Sequence, residues 1–244
     1  MSSPVTREAR RLWNSAKFIY GERGLRWLVG DTIDLASSYI TYPFRSAGVA
    51  SRTFEIGGRR LHYVCHHYNR AWRNERSVEL ALAFDFLERQ QGRLLLEVGN
   101  VLSHYRSDLH HDVLDKYERS PNVLNEDIVD FEPAVPYEAV LSISTLEHVG
   151  WDERPREPDK VLRAYHQLRK ILAEGGAMLV TCPLGQNPHL DRYVAEQALD
   201  FPERHYLLRV SKDNEWREVG LDEVRGARYH EPFRNANALF VGVV

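Results

Sequence analysis

Acidic residues in this chain follow apolar segments in a way that suits a site built at the edge of a sheet. The run Leu94-Leu95-Leu96-Glu97-Val98-Gly99-Asn100 joins a predicted strand to a carboxylate and a glycine turn. Two later segments place Asp115 and Asp127 in corresponding positions. Parallel strands bring their carboxyl ends to one edge, where such sheets hold ligands. We therefore expect these carboxylates to converge on a polar ligand, with Gly99 letting the backbone approach it closely.

A second polar cluster follows the predicted strand from Tyr137 to Ser144. It contains His148, which we predict to be a general base because imidazole titrates near neutrality and can accept a proton. The alternative is that Glu147 and His148 fasten the strand end to a neighbouring helix. Trp151, close by, is predicted to form a wall of a substrate pocket, with a packing role as its alternative.

Two further segments combine hydrogen-bonding groups with aromatic rings. One, Cys65 to Arg76, lies between a predicted strand and a predicted helix, where a lid over a ligand would explain its composition. The other, Leu184 to Arg192, follows the strand predicted over 177–182. Capping and surface hydrogen bonding are the alternatives. The substrate-binding residues predicted from these segments are His67, Tyr68, Asn69, Trp72, Asn187 and His189.

Histidines and carboxylates also gather between His104 and Asp115. Such side chains suit zinc, iron or manganese. Their spacing follows no fixed metal-binding motif, and neither cysteine, Cys65 or Cys182, has metal-ligand spacing. We predict no catalytic metal, and the alternative is a metal site assembled from these histidines.

The elements that must position these residues alternate between strands and helices, which predicts an α/β fold with a doubly wound, mostly parallel sheet. A hairpin around Gly57-Gly58 and a helix over about 74–90 come first. Before them, residues 7–50 predict amphipathic helices that close at Pro43 and serve as a packing or lid segment. The alternatives are oligomerisation and association with a membrane surface, and Asp31 and Asp34 argue against the latter because they interrupt a cationic face. The predicted domains are residues 1–50 as a helical extension, 51–93 as a hairpin and lid segment, and 94–244 as the main domain. Within the main domain we predict strands over 94–98, 112–115, 125–131, 137–144, 177–182, 205–210 and 238–244, and a helix over 158–173 ended by Gly175-Gly176.

Composition limits the classes of function. The chain has 244 residues, is 43% hydrophobic and carries a formal net charge of −3. A near-neutral balance argues against a dedicated nucleic-acid binder, since phosphate neutralisation needs a basic face. No apolar run of about 18 residues and no signal-peptide core is found, so we predict a cytoplasmic protein without an integral membrane segment. Homodimerisation is left open.

Several of these segments together resemble the class I S-adenosylmethionine-dependent methyltransferases. The resemblance covers roughly Leu94 to Val244 and implies a Rossmann-like sheet whose last two strands form an antiparallel hairpin. The segments that carry it are Leu96-Glu97-Val98-Gly99, Val113-Leu114-Asp115, Glu126-Asp127-Ile128, Ser142-Ile143-Ser144-Thr145-Leu146-Glu147-His148-Val149 and Leu172-Ala173-Glu174-Gly175-Gly176.

The resemblance implies S-adenosyl-L-methionine as cofactor and assigns residues to its parts. Glu97 and Gly99 would lie beside the methionine part. Asp115 or Glu118 would accept hydrogen bonds from the ribose hydroxyls, and Asp127 would accept one from the adenine amino group. The cofactor-binding residues implied in this way are Glu97, Gly99, Asn100, Asp115, Glu118, Asp127, Ile128 and Ser144.

The chain departs from the family at its first turn, where one glycine stands in place of two or three. Either Asn100 adopts a left-handed conformation there, or the turn opens differently and the following helix shortens to a turn or two. The implied activity is methyl transfer by direct displacement to a small-molecule acceptor, such as a hydroxyl or amine of a sugar or natural product. The alternative is the same fold used for another reaction, metal-assisted or not, or for a non-catalytic partner role.

Overall fold

The computed structural model of this protein describes residues 25–244. The helices predicted before Leu25 lie outside that part. Gly48–Val244 forms one compact unit, and of the unit before it only part of one helix is described. The helices are α1 Leu25–Ala50, α2 Arg76–Arg89, α3 Lys160–Ile171, α4 Pro188–Ala195 and α5 Leu221–Val224. The strands are β1 Thr53–Ile56, β2 Arg59–His62, β3 Leu95–Val98, β4 Asp112–Leu114, β5 Val123–Leu124, β6 Tyr137–Ile143, β7 Leu172–Pro183, β8 Glu203–Arg209, β9 Trp216–Val219 and β10 Ala238–Val243.

The large sheet has eight strands in the order β5-β4-β3-β6-β7-β10-β8-β9. The first five are parallel, whereas β10 is antiparallel to both β7 and β8, and β9 is antiparallel to β8. The strand order reverses between β3 and β6, as in doubly wound Rossmann sheets, and ligands of such sheets bind outside the carboxyl ends at that reversal. The predicted Rossmann-like fold with an antiparallel C-terminal strand is confirmed.

The middle of the sheet is covered on both faces. On one side α3 presents Val161, Ala164, Tyr165, Leu168 and Ile171, all buried at helical spacing. Helix α2 packs against β6 and β7 and buries eight side chains, including Leu80 and Phe86. Because both faces are covered, β6 is buried at six of its seven positions.

Three boundary predictions were wrong. Helix α1 does not close at Pro43 but continues to Ala50. The strand predicted within 125–131 lies earlier, at Val123–Leu124, and residues 128–130 form a turn instead. Gly175-Gly176 does not end α3, because the chain becomes extended at Leu172 and the two glycines lie inside β7. The division into three domains stays a prediction. No helix in the described range 25–244 is long and apolar enough to cross a membrane.

Candidate active site

A cavity of about 560 Å³ opens at the carboxyl ends of β3, β4 and β6, where the strand order reverses. Its walls come from the turn after β3, from the segments that follow β4 and β5, and from the segment after β6. Seven of the eight residues implied to bind a cofactor line it, and so does the predicted base, His148. These residues are Gly99, Asn100, Asp115, Glu118, Asp127, Ile128, Ser144 and His148.

The eighth residue, Glu97, does not line the cavity but is fully buried behind it. Its Oε1 accepts hydrogen bonds from the backbone N–H groups of Val101 and Leu102, each at 2.8 Å. Its Oε2 lies 2.7 Å from Nε2 of His111. Both oxygens are therefore engaged by the protein, and Glu97 holds the turn rather than facing a ligand.

The turn itself contains one residue in the left-handed region, Gly99, at φ +86°. A Cβ added at Gly99 would lie 2.1 Å from Oγ1 of Thr145, so only glycine fits. Asn100 is not left-handed, and the backbone tightens instead into a short 3₁₀ turn at Leu102–His104. The second of the two expected solutions, a turn that opens differently with a shortened helix, is therefore the one adopted.

Asp115 organises the neighbouring wall. Its Oδ1 accepts hydrogen bonds from the backbone N–H groups of Tyr117 and Glu118, each at 2.8 Å. Within residues 25–244, Oδ2 accepts only the N–H of Asn100, at 3.4 Å. The side-chain amide of Asn100 donates to Glu118 Oε1 at 2.8 Å. These contacts fix both carboxylates and leave Asp115 Oδ2 able to accept from a ligand.

Asp127 belongs to a cluster of two acids and two lysines. Its Oδ2 lies 2.6 Å from Nζ of Lys160 and 2.8 Å from Nζ of Lys116. Glu153 Oε2 contacts the same two ammonium groups, at 2.6 and 2.7 Å. Burial alone would raise the pKa of Asp127 and Glu153, but the hydrogen bonds from both lysines lower it, so both acids are ionised at neutral pH. From the described part of the chain, Oδ1 of Asp127 accepts only the N–H of Val129, at 3.3 Å, and keeps an acceptor position.

His148 lies between two carboxyl groups. Its Nδ1 is 2.6 Å from Oδ2 of Asp152, and its Nε2 is 3.6 Å from Oε1 of Glu147. Burial acts to lower the pKa of His148, but the hydrogen bond with Asp152 and the charge of Glu147 outweigh it and raise the pKa above its ordinary value. Glu147 is buried, and its Oε2 has no hydrogen-bond partner among the described residues. Burial raises the pKa of Glu147 to about 7.

A buried polar cluster supports this edge from behind. Ser144, at φ +43°, donates to Oε1 of Glu79 at 2.6 Å, and Thr181 donates to the same oxygen at 2.9 Å. Arg76 lies 3.1 Å from Oε2 of Glu79. Ser144 therefore contributes to the cavity wall while its hydroxyl is held by a residue of α2.

The predicted substrate-binding residues do not line the cavity. Trp72 is buried at 2% exposure, and the guanidinium carbon of Arg73 lies 5.3 Å from its ring centroid. Asn187 is buried because it caps α4, accepting from the N–H groups of His189 and Leu190, and its amide donates to the carbonyl of Glu147 at 3.0 Å. Both side chains therefore have structural contacts, and their part in substrate binding stays a prediction.

The other five lie in or beside two groups of aromatic side chains. Tyr68 stacks on His104 with ring centroids 4.8 Å apart, and His67 stacks on His66 at 4.6 Å. Asn69 shares their 3₁₀ turn with a left-handed backbone at φ +51°. In the second group, Trp151 and His189 have ring centroids 5.8 Å apart. Their part in substrate binding stays a prediction.

Sequence reasoning missed the two lysines of the cavity cluster. Lys116 directly follows Asp115 and so could have been found at the same strand end. Lys160 stands near the start of α3, 33 residues after Asp127, and nothing in that spacing indicates a contact. No group of three or more metal-capable side chains occurs within residues 25–244.

Comparisons with known proteins leave the family open. No family model matches the chain, and no curated protein matches it. Among solved structures, the N-methyltransferase NodS from Bradyrhizobium japonicum WM9, in complex with S-adenosyl-L-homocysteine, aligns with a TM-score of 0.45 and 14% identity over 69% of this chain and 85% of that one. A SAM-dependent methyltransferase from Archaeoglobus fulgidus aligns with a TM-score of 0.42 and 12% identity over 72% of this chain and 98% of that one. The fold assignment above rests on this chain's own strand order.

The turn at Gly99 can be tested with a matched glycine. We expect Gly99→Ala to destabilise the protein, because the added methyl group meets both an unfavourable φ and the side chain of Thr145. Gly92→Ala is the control, since Gly92 has φ +79° but open space around it. Urea denaturation should show a larger loss for Gly99→Ala, whereas equal losses would mean that backbone strain alone, and not the contact with Thr145, demands the glycine.

The buried Glu147 predicts a pH dependence of stability. Because its folded pKa is about 7, its contribution is full below the ordinary glutamate pKa and is lost as pH rises through about 7. Glu147→Gln lacks this titration. Its stability relative to wild type should therefore improve by roughly 2 to 3 kcal/mol between about pH 5 and pH 8. Urea denaturation at both pH values measures this, with Glu88→Gln on the exposed side of α2 as control. A difference that is constant with pH would contradict the assignment.

Proposed function

We propose that this protein is an S-adenosylmethionine-dependent methyltransferase that acts on a small-molecule acceptor. The observation that carries the proposal is the cavity at the strand-order reversal, where a glycine turn, two carboxylates with open acceptor positions and a histidine face the same space. A nucleoside ligand with a cationic centre offers hydrogen-bond donors and a positive charge, which carboxylates can bind. The proposal rests on this arrangement together with the motif resemblance.

The residues present fit this cofactor. Gly99 and Thr145 both line the cavity, and the missing side chain of Gly99 is what makes room for Thr145 there. Asp115 Oδ2 and Glu118 suit the paired ribose hydroxyls, because carboxylate oxygens accept two hydrogen bonds each. Asp127 Oδ1 suits the adenine amino group, with buried Ile128 as an apolar wall beside it.

The charge of the cavity favours a cationic ligand. Lys116 and Lys160 neutralise Asp127 and Glu153, as the distances above show. Four further acids line the cavity and pair with no lysine among the described residues: Asp115, Glu118, Glu126 and Asp152. The sulfonium of the cofactor carries a positive charge, and so does a protonated amine. We therefore place amines of sugars or natural products ahead of hydroxyls among the acceptors.

The chain's own residues would contribute positioning and one proton transfer. S-adenosylmethionine, when bound, supplies an electrophilic methyl group. The Gly99 turn and the acids hold the reactants in line, which is the main requirement of a direct displacement. His148 takes the proton that the acceptor loses, and Asp152 fixes the ring through Nδ1 and stabilises the positive charge that forms.

Binding of S-adenosylhomocysteine tests the cofactor site. We expect wild-type protein to bind it with one-to-one stoichiometry, and we expect Asp115→Asn and Asp127→Asn each to weaken binding by about 1 to 3 kcal/mol. Isothermal titration calorimetry measures both, and Asp130→Asn, on the exposed turn after Asp127, is the control. Thermal melts establish that each variant is folded. Unchanged affinity in both variants would refute the assignment.

The role of His148 predicts a specific pH profile. With labelled S-adenosylmethionine and a panel of amino and hydroxyl sugars, any acceptor that is turned over should react more slowly as pH falls below the raised pKa of His148, where the ring becomes protonated. His148→Gln should lower the rate by about 10²- to 10⁴-fold and remove this acidic limb, with affinity for S-adenosylhomocysteine unchanged. A His148→Gln enzyme that keeps the wild-type rate and profile would exclude His148 as the base.

A further inference from the structure

One lysine of the cavity cluster faces the cavity, and the other does not. Lys116 lines the cavity, and its side chain is 35% exposed. Lys160 does not line the cavity, and its side chain is 5% exposed. Both ammonium groups contact the same two oxygens, Asp127 Oδ2 and Glu153 Oε2, at 2.6 to 2.8 Å. Lys160 therefore holds the two acids from behind, whereas Lys116 can also reach a ligand.

Lys116 keeps a hydrogen-bond donor for that ligand. Burial acts to lower the pKa of Lys116, but its hydrogen bonds with Asp127 and Glu153 outweigh burial and raise the pKa, so the side chain is an ammonium at neutral pH. An ammonium has three N–H groups. Asp127 and Glu153 are its acceptors among the described residues, and the ring centroid of Tyr117 lies 5.3 Å from Nζ. One N–H is therefore available to a ligand in the cavity.

Asp127 offers an acceptor beside this donor. Its Oδ2 contacts both lysines, which fixes the carboxylate and leaves Oδ1 as the oxygen with an open acceptor position. Buried Ile128, the next residue, adds an apolar wall to the same part of the cavity. A donor and an acceptor side by side next to an apolar wall suit a flat heteroaromatic ring whose edge carries an acceptor beside a donor.

The charge of the cluster disfavours other ligands at this position. Two acids and two lysines sum to a formal charge of zero. A phosphate beside Lys116 would also meet the carboxylates of Asp127 and Glu153, and an ammonium group beside Asp127 would also meet the two lysines. A neutral ring avoids both repulsions.

We infer that Lys116 selects adenine in the cofactor, by donating its remaining N–H to the ring nitrogen N1 while Asp127 Oδ1 accepts from the 6-amino group. The inference rests on the proposed function, which supplies the adenine. Hypoxanthine reverses both groups, because it has an oxygen at position 6 and an N–H at N1. It would turn an acceptor toward Asp127 and a donor toward Lys116, so the pair rejects a 6-oxo purine.

Ligand analogues test this contact on the full wild-type chain. The probes are S-adenosylhomocysteine and its 1-deaza and 3-deaza analogues, in each of which a C–H group replaces one ring nitrogen. Wild type should bind the 1-deaza analogue about 10- to 100-fold more weakly, because the charged donor of Lys116 loses its acceptor. The 3-deaza analogue is the control and should bind as S-adenosylhomocysteine does. S-inosylhomocysteine should bind at least about 100-fold more weakly, since both contacts are reversed. Isothermal titration calorimetry measures all four affinities.

A matched pair of variants separates the donor from the charge. Lys116→Met and Lys160→Met each remove one positive charge from the same two acids, but only Lys116 lines the cavity. Lys116→Met should bind S-adenosylhomocysteine and its 1-deaza analogue equally. Lys160→Met should keep the wild-type ratio of these two affinities, even where both affinities fall. Thermal melts establish that each variant is folded.

Two results would overturn the inference and leave the cofactor site intact. One is equal affinity of wild type for S-adenosylhomocysteine and the 1-deaza analogue, a comparison that needs no variant to fold. The other is loss of the ratio in Lys160→Met as well as in Lys116→Met, which would assign the selection to the charge of the cluster. Failure of wild type to bind S-adenosylhomocysteine at all would instead contradict the methyl-transfer proposal, and this inference with it.

Discussion

The buried carboxylate of Glu97 is the constraint on which the geometry of the sheet edge depends. A carboxylate without exposure is costly unless hydrogen bonds replace its water. Here two backbone N–H groups and the ring of His111 do so. Because Glu97 accepts hydrogen bonds from the N–H groups of Val101 and Leu102, the chain after Gly99 is held in a tight 3₁₀ turn. That turn aims the N–H of Asn100 at Asp115, and the Asn100 amide in turn holds Glu118. One glycine is enough because the carboxylate, rather than further left-handed residues, shapes the loop.

The carboxyl groups of this edge differ in protonation because their partners differ. Asp127 and Glu153 each contact two ammonium groups and are ionised, whereas Glu147 is buried beside a histidine and has a pKa of about 7. One small region thus holds ionised carboxylates neutralised by lysines on one side and a group able to change its proton near neutrality on the other. This separation of roles matches a site that must bind a charged ligand and also move a proton.

The sequence predicted the fold and the cavity-lining residues through short-range signals. Apolar runs that end in Asp115 and Gly99 are local, and the parallel sheet brings their ends together whatever the loops do. The contacts that could not be predicted from the sequence join residues far apart in the chain. Lys160 reaches Asp127 across 33 positions, and Glu79 reaches Thr181 across 102. Sequence reasoning also misplaced the ends of some elements, as at Gly175-Gly176, which lie inside β7 between its paired residues Leu172 and Ala177.

Two residues predicted for the site, Glu97 and Asn187, lie behind the cavity wall. They show that a residue can affect activity without contacting a ligand. Glu97 and Asn187 are polar, close in sequence to strand ends, and buried, and each holds backbone at the edge of the cavity. Asn187 caps α4 and also bonds the carbonyl of Glu147, the residue before His148. Loss of that amide would displace His148 without removing any group that faces the cavity. A fall in rate after substitution at such positions therefore reports on positioning. Only a residue whose change alters ligand affinity or the pH profile while stability is kept can be assigned to the chemistry itself.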